Sequence, residues 1–346
     1  MRRFSRATGG EVCYTAQGSL EAPRREAEQA NLDERTLLII NPMRASGSAR
    51  QLARMERALE GYGLRYDKRF TERKGHAITM AENAVSDGYT CIVAVGGDGT
   101  INEVVNAVSG SEATLAALPL GGNNDFLRSL GVWTWEQACR VLAQGVDKQL
   151  DVGLAEYVDG EGRPQRRYYA VLADVGLGSQ VVRNTPGRFK HSLGGGLGYV
   201  ISLYRTAVQG EARARWMRVE VDGQVRYEQN LLLVEALNGS YAGGGLRVAP
   251  RARLDDELLD VFVAEDMHWL KVWALFPKIY RGTHTEHEKT SYFQARQVAV
   301  DTETKTLISV DGDVVGYTPA RFSVVGGALR VRCPAPSGNG ENWAYD

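Results

Sequence analysis

Residues 96–100 (GGDGT) follow a short apolar run and precede a helical pattern. Glycines let backbone N–H groups approach phosphate oxygens closely, and the N-terminus of a helix adds a positive partial charge. A carboxylate would repel those phosphates unless a cation lies between them, so Asp98 indicates Mg²⁺ binding or proton transfer. Thr100 and Glu103 fit a capping box, which predicts that the helix starts at this point. The alternative is a strand-to-helix turn that binds no ligand.

A second segment of this kind spans residues 118–126 and again lies between a short apolar run and a helical stretch. It contains Gly121, Gly122 and the carboxylate Asp125. Open α/β sheets bind ligands at the carboxyl ends of their strands, where both segments are expected. Two such loops are more specific than one, and they predict a single ligand in contact with both.

Other kinds of site have less support. The P-loop, the G-x-G-x-x-G fingerprint and the protein-kinase motifs are all missing from the sequence. His284 and His287 have the spacing of metal ligands, but no clear set of further ligands completes a zinc site. The four cysteines form no Cys-x-x-Cys pair, which favours a reduced cytoplasmic chain. The apolar stripe of residues 269–279 is predicted to face the core rather than a membrane.

Strand and helix patterns alternate around the two loops. Short β-branched apolar runs predict buried strands, and apolar residues three or four positions apart predict helices. This alternation predicts a parallel sheet covered on both faces. The predicted strands are residues 36–40, 65–71, 91–95 and 114–118, and the predicted helices are residues 47–60, 77–85 and 101–108.

From about residue 147 the pattern favours antiparallel strands. Asp222 and Gly223 separate two alternating runs, which is a strong hairpin signal. The second half is therefore predicted to be a mainly antiparallel β domain with helices at about 194–208 and 268–280. Its predicted strands are residues 216–221, 225–237, 258–264, 297–300, 307–310, 321–325 and 329–332.

Composition excludes several classes of protein. The chain has 346 residues, 43% of them hydrophobic, and a formal net charge of -1, so no global field recruits nucleic acid. No apolar run reaches the roughly 18 residues that a membrane-spanning helix needs. Residues 1–34 are polar and lack the apolar region of a secretory signal, so they are predicted to be a mobile extension.

The two glycine-rich loops and several further segments, taken in their order along the chain, resemble the diacylglycerol kinase catalytic-domain family. That family includes bacterial lipid kinases, sphingosine kinases and ceramide kinases. Residues 96–104 with Asn106 resemble the nucleotide loop of that family. The further matches are Asn41-Pro42 with Ser46-Gly47, Thr71 with residues 75–77 (GHA), Pro119 to Arg128, Asn238-Gly239 with residues 243–245 and Ala249-Pro250, residues 255–261, Tyr280 to Gly282 with His284, and residues 311–313 (DGD).

The resemblance implies an α/β nucleotide domain followed by a β-rich domain, with the active site in the cleft between them. The domains are then an extension at 1–34, a nucleotide-binding domain at 35–146 and a lipid-substrate domain at 147–325. Residues 326–334 are expected to form a strand that returns to the first domain, and residues 335–346 a loose tail.

The resemblance also implies the roles of individual residues. Asp313 is expected to be the general base, with Asp98 as the second candidate. A structural Mg²⁺ would be held by Asp256 and by the main chain of Arg253 and Leu258. The residues expected around the nucleotide are Asn41, Thr71, Gly96, Gly97, Asp98, Gly99, Thr100, Ile101, Asn102, Gly121, Gly122, Asn124 and Asp125.

Three positions depart from the family pattern. Gly122 stands where the family has threonine, which removes a hydroxyl contact to the nucleotide. Asp313 stands where the family has glutamate, and Glu257 replaces a glycine in the turn of the structural Mg²⁺.

The predicted reaction is transfer of the γ-phosphoryl group of ATP, with Mg²⁺, to a primary hydroxyl of a diacylglycerol or a sphingoid- or ceramide-type lipid. The predicted partner is a lipid at the inner membrane surface, reached by peripheral contact, with no nucleic acid. The residues do not decide between a monomer and a homodimer. Two alternatives are an NAD kinase-like enzyme, which also carries a GGDGT loop, and a catalytically weakened lipid- or nucleotide-binding protein.

Overall fold

The computed structural model describes residues 34–42, 48–185 and 196–336. The described residues from Arg35 onward belong to one compact unit. The predicted extension at 1–34 and tail at 335–346 lie almost wholly outside the described residues, as do Ser46 and Gly47 of the first family match.

The first half is a parallel sheet with helices packed on it, as predicted. Strands β1, β3 and β4 are buried along their whole length, as their continuous apolar runs require. The sheet order is β4-β3-β1-β2, and all these pairs are parallel. The strands are β1 (Thr36–Ile40), β2 (Asp67–Phe70), β3 (Cys91–Gly96) and β4 (Thr114–Pro119), and the helices are α1 (Ser48–Gly61), α2 (His76–Ser86), α3 (Asp98–Val108), α4 (Asp125–Ser129) and α5 (Trp135–Gln144).

The second half is mainly antiparallel, also as predicted. Its strands are β5 (Val146–Val158), β6 (Pro164–Tyr169), β7 (Leu172–Gly176), β8 (Arg215–Val221), β9 (Gln224–Leu237), β10 (Leu259–Glu265), β11 (Thr290–Ala295), β12 (Gln297–Thr302), β13 (Leu307–Val310) and β14 (Asp313–Cys333). The helices are α6 (Leu177–Asn184), α7 (Gly196–Val208) and α8 (Trp269–Ile279), followed by a 3-10 turn at Thr283–Glu286. None of the described helices is long and apolar enough to cross a membrane.

Six strands of this half pair in a closed ring, in the order β7-β9-β8-β12-β14-β13 and back to β7. The ring encloses its own apolar core, which is separate from a larger core that contains the parallel sheet and also extends to residues of β9, β10 and helices α6, α7 and α8. The predicted hairpin at Asp222 and Gly223 is confirmed: both residues have positive φ (49° and 81°) and join β8 to β9.

Strand β14 differs from the prediction of two separate strands at 321–325 and 329–332. It is one strand of 21 residues, and its pairing with β5 shifts register between Val325 and Leu329. Gly327 has φ 59° at this irregularity, which explains why the sequence pattern breaks there. Beyond it, Val331 pairs in parallel with Leu115 of β4, so the last strand joins the sheet of the first half.

Strands β5 to β7 and helices α5 and α6 were not predicted, since this part of the chain has mixed polarity and no two-residue hairpin signal. Helix α5 nevertheless carries a capping box: Thr134 accepts from the backbone N–H of Gln137, and the Gln137 side chain accepts from the backbone N–H of Thr134. The domain boundaries at 146, 325 and 334 stay predictions.

A substitution at Gly153 would test the packing of the second half. It pairs across strands with the fully buried Tyr169, whose ring occupies the space that a side chain on residue 153 would need. We expect Gly153→Ala to lower the free energy of unfolding by about 3 kcal/mol, as overpacking does. Urea unfolding measures this, with Gly160→Ala as the control because a Cβ there meets no atom within 4 Å. Equal stability of the two variants would contradict the packing of Tyr169 on β5.

Candidate active site

A cavity of about 380 Å³ lies between the loops of the parallel sheet and the outer face of the strand ring. Both glycine-rich loops line one end, which also contains carboxylate side chains. The other end is lined mainly by aliphatic side chains from β9 and helices α6, α7 and α8. A cavity with one polar and one apolar end suits an amphipathic ligand beside a phosphate donor.

The two glycine-rich loops touch each other through their backbones. A Cβ on Gly121 would lie 2.8 Å from the Cα of Gly97, and the backbone N–H of Gly121 donates to Gly96 O at 3.2 Å. Gly99 differs, because a Cβ there would meet no protein atom within 4 Å although the residue lines the cavity. Glycine at 121 is therefore required by protein packing, whereas glycine at 99 leaves space for a ligand.

Asp98 is the first residue of α3 and lines the cavity. Its Oδ1 accepts the backbone N–H of Phe126 at 3.3 Å, so it links the two loops. Burial, reinforced by the charge of Asp125, raises the pKa of Asp98 well above its ordinary value. Among the described residues, no basic side chain forms an ion pair with Asp98.

Asp125 connects the second loop to the β-rich half. It accepts from Arg128 Nη1 at 2.9 Å and from the backbone N–H of Gly244 at 2.7 Å. Gly244 lies in the Gly243–Gly245 run, where all three residues have the positive φ that glycine adopts readily. Burial raises the pKa of Asp125 despite these contacts.

The predicted capping box at Thr100 and Glu103 is wrong. Helix α3 begins at Asp98, so Thr100 lies inside the helix and its hydroxyl accepts from Asn41 Nδ2 at 3.1 Å. The carboxylate of Glu103 instead accepts the backbone N–H groups of Gly75 and Ala77 at 2.9 and 3.1 Å. Glu103 thereby stabilises the start of α2, the helix that follows the Thr71–Lys74 edge of the cavity.

Most of the residues expected around the nucleotide line this cavity. They are Asn41, Thr71, Gly96, Gly97, Asp98, Gly99, Thr100, Gly121, Gly122 and Asp125. Ile101, Asn102 and Asn124 do not line it. Ile101 faces inward from α3 and is part of the hydrophobic core. Asn102 Nδ2 donates a hydrogen bond to Asp311 Oδ2 at 2.7 Å and so positions that side chain. That these three residues contact nucleotide stays a prediction.

Asp311 and Asp313 lie at opposite ends of the β13–β14 hairpin turn and have different surroundings. Asp311 is partly buried and accepts the backbone N–H groups of Ala170, Val171 and Leu172 as well as Asn102 Nδ2. It has φ 44°, and the next residue, Gly312, has φ 78°, which forms a tight two-residue turn. Asp311 therefore positions the turn.

Asp313 forms ion pairs with two basic side chains. Lys74 Nζ lies 3.0 Å and Arg167 Nη2 lies 3.4 Å from its Oδ2. Arg167 also donates through Nε to Asn102 Oδ1 at 2.9 Å, so these contacts connect Asp313 to α3. Lys74 and Arg167 were not predicted as site residues, because the loop after β2, strand β6 and the start of β14 are far apart in sequence.

At the turn expected to hold a structural Mg²⁺, Glu257 has φ 55°, a left-handed conformation that glycine adopts without strain but other residues rarely take. However, the carboxylate of Asp256 already accepts the backbone N–H of Leu258 at 3.2 Å and Gln294 Nε2 at 3.1 Å. Among the described residues, no three acidic, histidine or cysteine side chains converge as a metal site. The Mg²⁺ ligands Arg253, Asp256 and Leu258 stay predictions.

The apolar stripe of α8 partly lines the cavity. Val272, Phe276 and Ile279 face the apolar end, while Leu270 and Tyr280 are exposed. Two acidic side chains, Asp174 and Glu235, interrupt this end, and sequence reasoning missed both. The apolar residues on either side of these two acids in β7 and β9 are the sequence signal that could have identified them.

Comparison with known proteins places this site in a family. The model "Diacylglycerol kinase catalytic domain" matches residues 35–155, and the model "YegS C-terminal NAD kinase beta sandwich-like domain" matches residues 181–333. A curated diacylglycerol kinase of Staphylococcus aureus is 32% identical over 267 residues, which cover 76% of this chain and 81% of that protein. The chain belongs to the diacylglycerol kinase family.

Solved structures agree with this family and with the predicted two-domain α/β fold. A Bacillus anthracis structure, named as a candidate diacylglycerol kinase, has a TM-score of 0.72 and 26% identity and covers 87% of this chain and 95% of its own. Yeast NADH kinase complexed with NADH has a TM-score of 0.52 and 10% identity and covers 90% of this chain and 86% of its own. That second likeness shows the fold alone. The diacylglycerol kinase family thus shares its fold with a nicotinamide nucleotide kinase.

Proposed function

We propose that this member of the diacylglycerol kinase family is an ATP-dependent lipid kinase that phosphorylates a primary hydroxyl. The observation that carries the proposal is the cavity in which two glycine-rich loops meet an apolar wall. Backbone N–H groups at one end suit a triphosphate, and aliphatic side chains at the other suit an acyl or alkyl chain.

The carboxylates at the polar end fit Mg²⁺ bound together with ATP. Asp98 and Asp125 are neighbours of like charge; loss of solvation, reinforced by the charge of Asp125, raises the pKa of Asp98, and a divalent cation would relieve their repulsion. These two residues would hold the ion, whose chemistry is to neutralise charge on the phosphates. The backbone of residues 96–99 and Gly121 would contact the phosphate oxygens.

Asp313 is our proposed general base. Its carboxylate lines the cavity, and the basic groups Lys74 Nζ and Arg167 Nη2 lie 3.0 and 3.4 Å from its Oδ2, so it is held in place at the polar end. As the lipid hydroxyl oxygen bonds to the γ-phosphorus, the bond from that phosphorus to the β-phosphate oxygen breaks and ADP leaves. The hydroxyl proton passes to Asp313. Asp98 is the second candidate for this role.

We also propose that the enzyme contacts membranes peripherally. Tyr204 on α7 and Leu270 on α8 are exposed, as is Tyr280 just after α8. The same two helices line the apolar end through Leu203, Val272, Phe276 and Ile279. Exposed apolar groups beside the cavity would let a lipid pass from a bilayer to the site without crossing water.

The test is phosphate transfer from ATP labelled in the γ-phosphate. Separate detergent micelles would present diacylglycerol, ceramide or a long-chain amino alcohol, and NAD would be tested in solution. We expect a labelled lipid and no labelled NAD. Product on NAD alone would favour the NAD kinase-like alternative, and binding of lipid and ATP with no product would favour a binding protein.

A further inference from the structure

The charged side chains around the cavity are unevenly divided between acids and bases. Among the described residues that line it, the acidic ones are Asp98, Glu103, Asp125, Asp174, Glu235, Asp311 and Asp313. The basic ones are Arg73 and Lys74, which are adjacent in the loop between β2 and α2. A triphosphate at the polar end would add further negative charge. Of the described cavity wall, only this loop supplies positively charged side chains that offset such charge.

The backbone of this loop is fixed on both sides. Before it, Thr71 is buried, and its backbone N–H donates to Ile40 O of β1 at 2.8 Å. After it, the carboxylate of Glu103 accepts the backbone N–H of Gly75 at 2.9 Å. Glu103 lies on α3, the helix whose first residues line the polar end of the cavity. The loop is therefore held at a fixed position relative to the first glycine-rich loop.

The side chain of Lys74, in contrast, has freedom to move. It is 75% exposed, and its Nζ lies 3.0 Å from Asp313 Oδ2. Arg167, the second cation at this oxygen, is 21% exposed and also donates through Nε to Asn102 Oδ1. An ion pair that is open to water contributes little to stability. Lys74 can therefore leave Asp313 at small cost, while Arg167 keeps the carboxylate in place.

The position of Asp313 indicates how close Lys74 lies to the reacting atoms. A general base lies about 3 Å from the hydroxyl oxygen whose proton it accepts, and that oxygen attacks phosphorus from about 3 to 3.5 Å. With Asp313 as the base, the γ-phosphoryl group would lie within about 7 Å of its carboxylate. Rotation about the bonds of its flexible four-carbon stem would bring the Lys74 ammonium to that group.

We propose that Lys74 is a catalytic residue that binds the γ-phosphoryl group of ATP and leaves Asp313 when ATP enters the cavity. This inference rests on the proposed function, which supplies ATP as the donor and Asp313 as the base. The ammonium would stabilise negative charge on the oxygens of the transferred group as its bond to the β-phosphate oxygen breaks. Departure of Lys74 would also open Asp313 Oδ2 to the proton of the lipid hydroxyl.

The first experiment compares the binding of ADP with that of an ATP analogue whose γ-phosphate is attached through nitrogen and is not transferred. The full-length proteins are the wild type, Lys74→Met, Lys74→Arg and Lys68→Met. Lys68 is the matched control, because its partly exposed ammonium also pairs with a carboxylate, Glu56 at 2.7 Å, but does not line the cavity. Calorimetric titration with Mg²⁺ gives both dissociation constants, and thermal unfolding shows that each variant folds.

We expect Lys74→Met to bind the analogue at least about tenfold more weakly than the wild type, and ADP within about twofold, because only the γ-phosphate contact is lost. Lys74→Arg should keep the preference for the analogue, since it keeps a positive charge. Lys68→Met should match the wild type in both constants. In phosphate transfer to lipid, the kcat of Lys74→Met should fall by about 10²-fold, the usual cost of losing one preorganised donor to an oxyanion.

A second experiment follows the Lys74 ammonium itself. A water-soluble carbodiimide joins an amine to a neighbouring carboxylate as an amide, and the carboxylate oxygen leaves in a urea. Peptide mass spectrometry should detect the amide between Lys74 and Asp313 in the free protein and with saturating ADP, and much less of it with the ATP analogue. ADP is the control because it lacks only the γ-phosphate. An amide yield that the analogue does not lower would overturn the movement of Lys74.

An unchanged ratio of the two dissociation constants in Lys74→Met would overturn the inference, as would an equal loss of analogue binding in Lys68→Met. Failure of the proposed function has a different result, since the wild type then phosphorylates no lipid. In that case weaker binding of the analogue by Lys74→Met, with unchanged binding of ADP, would still support Lys74 as the contact of the γ-phosphate.

Discussion

Asp313→Asn is expected to lower kcat by about 10²- to 10⁴-fold, the usual cost of losing a general base. Asparagine keeps the size of the side chain but cannot accept the proton. The KM for ATP should change by less than about twofold, because the glycine-rich loops that would bind the phosphates are left intact. Steady-state kinetics with saturating lipid and varied ATP separates the two parameters.

Two matched variants give this experiment its controls. Asp301→Asn, at an exposed position of β12, should leave both parameters unchanged. Asp98→Asn should raise the KM for ATP as well as lower kcat, because Asp98 links the two loops through Phe126. Equal, mild effects of Asp313→Asn on kcat and KM would remove Asp313 from the role of base.

Gly99→Ala and Gly121→Ala should separate ligand binding from protein packing. An alanine Cβ at 99 meets no protein atom within 4 Å, so we expect unchanged Tm and at least about tenfold weaker ATP binding because the methyl group occupies phosphate space. At 121 the Cβ would lie 2.8 Å from Gly97 Cα, so we expect both stability and ATP affinity to fall.

Thermal unfolding and calorimetric titration with ATP and Mg²⁺ would measure both quantities for each variant. If Gly99→Ala binds ATP as the wild type does, the phosphates do not approach the start of α3. If Gly121→Ala keeps the wild-type Tm, the contact between the loops is not a packing constraint.

The sequence predicted the parts of this molecule that depend on local patterns. Continuous apolar runs identified β1, β3 and β4, and the Asp222-Gly223 pair identified the hairpin from β8 to β9. The two glycine-rich loops were placed at strand ends, where the structure brings them together. These predictions succeed because short-range periodicity and turn chemistry act within a few residues.

Features that depend on distant pairing were missed. Asp174 and Glu235 become neighbours only through the register of β7 and β9, and Lys74 reaches Asp313 from another part of the chain. Glu103 fitted a local capping box, yet its carboxylate binds the start of α2, because tertiary contacts outcompete a local motif.

Two departures from the family pattern now have physical descriptions. Glu257, which stands where the family pattern has glycine, takes a left-handed conformation, at a cost of about 1 to 2 kcal/mol for a residue with a side chain. Asp313 lies within reach of Lys74 and Arg167 despite being one methylene shorter than glutamate. Gly122 lines the cavity, and its effect on nucleotide affinity stays a prediction.

Strand β14 runs from Asp313 at the cavity to Val331 beside β4, and it pairs with β5 over much of that length. The two halves are thus connected by a pair of strands whose ladder of backbone hydrogen bonds is interrupted between Val325 and Leu329. A rotation of one half against the other would bend both strands together, most readily at this interruption, where Gly327 has φ 59°. If the protein acts as the lipid kinase proposed above, the rate of lipid exchange should therefore respond to substitutions at Gly327 as well as in the helices that line the apolar end of the cavity.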